Sequence, residues 1–382
     1  MPTILMISRL RGLRAIAGLA LLTLAAHWAW GQARVSSPND RARYLAAMPV
    51  PETSPLAKIE QFQAHEEQAD FLAAEWQKIQ TERWNAMTAW AATEVRPNIR
   101  TNAPLLYMFG GPDFLNAYIL YPDASRYVLC GLETIGRVPP FESWPETKVS
   151  AVLRDLSSAL KPALEQGFFV TKNIGGSLLK NEVYGVLPLI YVMVVRSGNE
   201  ITDVQYVKLS ESGEVIVLPG DDPVKEGARG VKINFVHKKG AAPQEMYYFR
   251  TDLSDAAIKG DKRFLNYLST LGPANCYLKA AQYLMHQKEF SQIRELLLSQ
   301  SSTILQDDSG IPYRSLDLKK WKISLYGNFI GPISEISWAV QPELKKAYAV
   351  PGAVKPLPFK YSYGSKEKAN LLFATQATSK AP

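Results

Sequence analysis

The stretch "LLYMFGGPDFLNAYILYPDASRYVLCGLE", residues 105–133, decides the fold. Leu105 to Phe109 is apolar and short, as a buried strand is. Gly110 and Gly111 mark a turn. Pro112 suits the first helical position, where its missing N–H costs nothing, and Asp113 in the first turn favours the helix dipole. The helix should stop near Tyr121 and Pro122, before a second apolar strand, "SRYVLCGLE". A crossover of this length permits a parallel pair, so the segment is predicted to be a right-handed βαβ unit.

A glycine turn between strand and helix is also where nucleotides bind. Glu133 ends the second strand about 20 residues on, where an acid would meet a ribose hydroxyl. Against that reading, GxGxxG and a Walker lysine are absent, Pro112 removes an N–H donor, and Asp113 sets a negative charge where a pyrophosphate would sit. Gly110 and Gly111 therefore remain ligand-binding candidates, with plain strand-to-helix turn chemistry as the alternative. No cofactor is expected.

Around this unit the chain reads as layered α/β with a mixed sheet. Arg9, Arg11 and Arg14, an apolar run to Ala26, and small Gly31 and Ala33 have the form of a signal peptide over residues 1–33. Its removal leaves about 349 residues. Residues 34–54 read as a flexible leader. Residues 55–200 read as a long helix plus an α/β lobe. Residues 201–382 read as antiparallel hairpins and a helical section, one continuous domain with the first lobe or separate from it.

Within these spans, Phe62, Ala69, Leu72, Trp76, Ile79, Met87 and Trp90 form one apolar stripe of a helix over 56–93. Val149, Val152, Leu153, Leu156, Leu160 and Leu164 mark another. The segment from Tyr184 to Arg196, rich in β-branched residues, reads as a buried strand, and 168–170 as a further one. "DVQYVKL" with "EVIVLP", and "VKINFVH" with "EMYYFR", read as hairpins. "PANCYLKAAQYLMHQ" and "EFSQIRELLLSQSSTIL" read as helices, the second closed by "DDSG", and "LLFAT" as an edge strand.

Composition excludes several functions. Without residues 1–33 the chain has 40 basic and 36 acidic residues, net +4. With no basic stripe, nucleic-acid binding is not expected. No later segment is long enough to span a membrane. His65, His237 and His286 are scattered, "HEEQAD" lacks the second histidine of a zinc motif, and His65 reads as solvated surface. No metal site is expected. No GxSxG exists, and the SxxK matches at Ser158 and Ser177 lack KTG. Cys130 and Cys276 could pair in an oxidising compartment, or stay as buried thiols.

Carboxylate chemistry stays open. "ILQDDSGIPYR" gathers Asp307, Asp308, Tyr313 and Arg314, and Arg100 precedes the opening strand. Asp113, Glu133, Asp307 and Asp308 are the candidate acids and bases. Arg100, Tyr313 and Arg314 are the candidate ligand contacts. Buried ion pairs are the alternative. Convergence in one concave pocket separates the two. Six Trp remain after residue 33. Aromatic platforms bind sugars, but helical and strand spacing make core packing their default.

Three blocks, residues 105–133, "NYLSTLGPANCYLKAAQYLMH" and "ILQDDSGIPYR", together resemble a group of uncharacterised exported bacterial proteins. The resemblance runs over most of the chain and implies export, with no catalytic residue to carry over. Residues 105–133 look like a Rossmann-like first unit, an analogy of fold. The expectation is an exported, soluble, non-catalytic binding or assembly protein, periplasmic or extracellular, whose partner is an envelope protein or small ligand. The alternative is a periplasmic enzyme, either a carboxylate-dependent hydrolase or a transferase on a Rossmann-like scaffold.

Overall fold

The computed structural model describes residues 35–167, 182–237, 242–280, 282–332, 336–361 and 369–377. The signal segment, the strand expected at 168–170 and the Ser177 motif lie outside them. One eleven-stranded mixed sheet runs through the molecule, in the order β10-β9-β11-β8-β7-β1-β2-β6-β5-β3-β4. Its strands, in chain order, are β1 Leu105–Tyr107, β2 Arg126–Gly131, β3 Asn199–Leu209, β4 Val215–Val217, β5 Gly230–His237, β6 Gln244–Arg250, β7 Ala274–Leu278, β8 Ser301–Gln306, β9 Trp321–Gly327, β10 Val354–Lys355 and β11 Asn370–Gln376. The five central strands, β8-β7-β1-β2-β6, are parallel. Antiparallel pairs flank them on both sides.

The opening unit is a βαβ. Leu105 pairs with Tyr127 and Tyr107 with Leu129, with helix α4, Phe114–Leu120, between the strands. Asp113 caps that helix, its carboxylate accepting from the Asn116 N–H at 3.3 Å. Pro112 thus stands before the cap, two positions ahead of the first helical residue, the place expected for it.

Both faces of the sheet are covered. Leu105, Tyr107, Tyr127 and Leu129 pack under α1 Pro38–Leu45, α2 Gln63–Ile79, α3 Asn85–Trp90, α4, α5 Glu146–Gln166 and α6 Leu187–Arg196. Leu106, Met108, Val128 and Cys130 face α7 Asp255–Gly260, α8 Arg263–Thr270, α9 Ser291–Gln300 and α10 Pro342–Tyr348. Burial on both faces is why the central strands read as unbroken apolar runs.

Several elements differ from the sequence reading. The Tyr184–Arg196 run is the helix α6, with Pro188 in its first turn and Leu187 to Val195 all buried. A helix buried all round has no polar face, so its periodicity is indistinguishable from a strand's. "PANCYL" is strand β7, and the predicted helix through Leu305 ends at Gln300, where β8 begins. The Asp307–Asp308 pair therefore follows a strand instead of closing a helix. "LLFAT" is β11, paired on both sides by β8 and β9. Residues 34–54 carry α1, whose Ala42, Tyr44 and Leu45 are fully buried. His65 is buried too, stacked on Tyr44 at 4.4 Å. The two cysteines are free and buried. They lie on β2 and β7 with β1 between them, two strand spacings of about 4.8 Å apart, beyond disulfide reach.

The long helix begins at Gln63, after a 3₁₀ turn at Pro55–Ile59. Burial then recurs at Ile79, Arg83, Met87, Ala91 and Val95. Steps of four drift about 40° each on an α-helix. Two π-turns, Gln80–Trp84 and Ala91–Val95, take up the drift and keep this row inward. The first of them contains the buried Arg83. Among the described residues no helix is long and apolar enough to cross a membrane.

Candidate functional site

Strand β1 lies between β2 and β7, and the chain leaves it toward β2, returning on the other side only at β7. The carboxyl ends of β1 and β7 thus flank a topological switch point, where open α/β sheets bind ligands. The loop after β1 supplies Asp113, and the loop after β7 supplies Lys279. Their side chains meet there: Lys279 Nζ lies 2.7 Å from Asp113 Oδ2, both almost wholly buried.

Strand alternation aims these groups. Cys276 and Leu278 point to one core, so Tyr277 and Lys279 point to the other, where Tyr107 and Asp113 also lie. Tyr107 donates its hydroxyl to Asp113 Oδ2 at 2.9 Å. Asn116 Nδ2 donates to Oδ1 at 2.9 Å. Lys279 and Asn116 both donate to the Gly167 carbonyl at the C-terminus of α5. From the long helix, the buried Arg83 donates to the Leu164 carbonyl at 3.2 Å.

Asp307, after β8, closes the cluster. Its carboxylate accepts from the N–H of Ala280 at 3.0 Å and from the N–H and hydroxyl of Ser309. Two cations, Lys279 and Arg83, therefore face two carboxylates, Asp113 and Asp307. Burial pulls the Lys279 ammonium below its ordinary value, and the Asp113 carboxylate acts against that pull. Among the described residues Asp308 has no such counter-ion, and its Oδ2 has no hydrogen-bond partner. Burial, then the charge of Asp307, pushes its carboxyl up to about 7.

Backbone strain borders the same edge. Phe109 and Ala280, just past β1 and β7, both have positive φ, 57° and 48°. Such outliers collect at functional sites and at rigid structural clamps.

The glycine turn is filled by the protein's own side chains. A Cβ on Gly110 would lie 2.5 Å from the Tyr107 ring. Gly111 has φ +57°, and a Cβ there would lie 3.6 Å from the Glu133 carboxylate. Glu133 in turn accepts from the Tyr248 hydroxyl at 3.0 Å. Close packing and a left-handed turn thus account for both glycines. A phosphate would meet Glu133 and Asp113 instead of open N–H groups.

The remaining candidates lie elsewhere. Arg100 precedes β1 at the opposite, amino-terminal edge, where its carbonyl accepts from Asn275 at 3.2 Å. It lines an open groove of about 840 Å³ with Gln300, Ser302 and Gln376. Tyr313 donates its backbone N–H to Gln341 at 2.7 Å. Arg314 lines a separate hollow of about 260 Å³ beside His286 and Trp338. Asp113, Glu133, Asp307 and Asp308 share the carboxyl edge, but Arg100 and Arg314 do not join them in one pocket. A hollow beside Asp113 and Asn116 holds about 10 Å³, room for roughly one water.

Sequence reading missed Lys279, Asn116, Tyr107 and Arg83. The signal for Lys279 was a charge one step past an apolar run, legible only with "NCYL" read as a strand. For Arg83 it was the four-residue spacing from Ile79 to Val95. Among the described residues no three His, Cys, Asp or Glu side chains gather as metal ligands would. Comparison with protein-family models and with curated proteins finds no match for the chain.

Proposed function

We propose that this is an exported, non-catalytic binding protein of the cell envelope, whose switch-point charges lock the sheet instead of performing chemistry. One observation carries the reading: the Asp113 carboxylate is engaged by Tyr107, Asn116 and Lys279, beside space for a single water. A catalytic acid or base must reach a substrate proton, and here protein donors occupy those positions. Export rests on the arginine-led apolar N-terminus and on the family resemblance.

A second reading, a carboxylate-dependent hydrolase, draws on Asp308. Its carboxyl titrates near neutrality, as a general acid or base should. One panel separates the two: esterase, glycosidase and phosphatase assays on the purified protein and its Asp113→Asn and Asp308→Asn variants. The binding reading expects no turnover that depends on either carboxylate. Turnover lost in a variant that keeps its circular dichroism would overturn it.

A further inference from the structure

On the outer side of the helical layer, α2, α3, α4 and the end of α6 enclose a cleft of about 270 Å³. Its apolar surface includes Trp76, Trp84 and Tyr118, the two indoles meeting edge to face at 5.0 Å. Gln80, Asn85 and Thr88 stand exposed at the rim. Arg96 and Arg196 also line it, and no Asp or Glu is among its lining residues.

Among the described residues neither arginine forms an ion pair with an acid. Arg196 donates from Nε and one terminal nitrogen to the Ala46 carbonyl at 2.9 and 2.6 Å, and its guanidinium sits 5.7 Å from the Trp76 ring centre. Burial alone lowers its proton affinity. The Nε of Arg96 is buried with no hydrogen-bond partner among the described residues, as is the indole N–H of Trp84, a side chain 94 % buried. Unpaired buried donors are costly, and native proteins keep few of them.

We propose that this cleft binds a sugar acid, a single carboxylate-bearing saccharide ring either free or at the end of a glycan. The partly exposed Trp76 indole offers a face for the C–H surface of such a ring. The arginines offer charge-assisted donors for its carboxylate. The rim amides and hydroxyl match ring hydroxyls, which an aromatic acid of the same size would leave unpaired. The binding itself stands apart from the non-catalytic reading, which it deepens by naming a ligand class.

The probe is glucuronate, followed by tryptophan fluorescence and calorimetry, with glucose, acetate and benzoate as comparisons. Saturable binding of glucuronate is expected, at least roughly tenfold tighter than glucose, since one charge-assisted contact is worth about that factor or more, and tighter than acetate and benzoate, which lack the ring hydroxyls. Arg96→Gln and Trp76→Ala should each weaken it roughly tenfold with unchanged circular dichroism. Asn85→Ala, at the exposed rim, should weaken it less and serves if either of those variants fails to fold. A glucuronate-ended oligosaccharide tighter than the free acid assigns the glycan end, and equal affinity assigns the free acid. No saturable binding at millimolar glucuronate, binding equal to that of glucose or benzoate, or binding untouched by these variants would refute the site. Recovering glucuronate unchanged or converted then tests the non-catalytic reading separately.

Discussion

The carboxyl edge of the sheet and the cleft under Trp76 are built from similar groups and resolve them in opposite ways. At the edge, Lys279 and Arg83 face Asp113 and Asp307, and Tyr107, Asn116, Ser309 and two backbone carbonyls complete the bonding. In the cleft, Arg196 lies over the Trp76 indole, and no acid is among the residues that line it with Arg96 and Arg196. The edge occupies the customary ligand position of such a sheet, yet its space is taken by its own side chains. The cleft occupies no customary position and has donors to spare. Location in a fold is therefore a weaker guide to a site than the balance of satisfied and unsatisfied groups.

Breaking the edge should be expensive. Lys279→Met leaves Asp113 buried without its cation, and we expect a loss of about 3–5 kcal/mol. Asp113→Asn added to it should recover most of that loss, because the uncompensated charge is gone. Urea denaturation of the single and double variants measures both. A single variant as stable as the parent would mean the pair is not the lock described here.

Asp308 gives a pH signature to the same edge. Its folded-state pKa, about 7, stands above the unfolded value near 3.8. The folded state therefore binds the proton more tightly. The associated stability is fully present below about pH 4 and is lost as pH rises through 7. The expected slope approaches 1.4 kcal/mol per pH unit between those limits. Asp308→Asn should flatten this component, so the variant gains on the parent as pH rises to 8. Melting curves across pH 4–8 that run parallel for the two proteins would contradict it.

The strained backbone predicts a smaller change of opposite sign. Ala280 holds φ 48°, where a Cβ costs about 1–2 kcal/mol. Ala280→Gly relieves that strain and loosens the unfolded chain, for a net gain of under about 1 kcal/mol. A fall in the melting temperature would show that the Ala280 methyl is packed more tightly than it is strained.

The cleft sharpens the contrast from the other side. Arg96→Gln removes a charge that no acid balances, so folding stability should move by only about 0.5 kcal/mol either way. Chemical denaturation reads this directly. A loss as large as that of Lys279→Met would make Arg96 a structural residue and erase the difference between the two regions.

Much of this molecule was legible along the chain. The turn at Gly110 and Gly111, the βαβ pairing of Leu105 with Tyr127, both hairpins and the α5 stripe follow from local period and turn chemistry. These signals survive because neighbouring residues share one strand or one helix face. What the chain could not display was which ends coincide. Lys279 reaches Asp113 only because β7 inserts beside β1, 166 residues away in sequence. Arg83 turns inward within the π-turn Gln80–Trp84, which re-aims the long helix. The buried α6 hid its type because full burial erases the polar face that periodicity needs. Residue pattern set the elements and their chemistry; strand order and helix phase, fixed by packing on both faces of one sheet, decided which charges cancel and which remain open to a ligand.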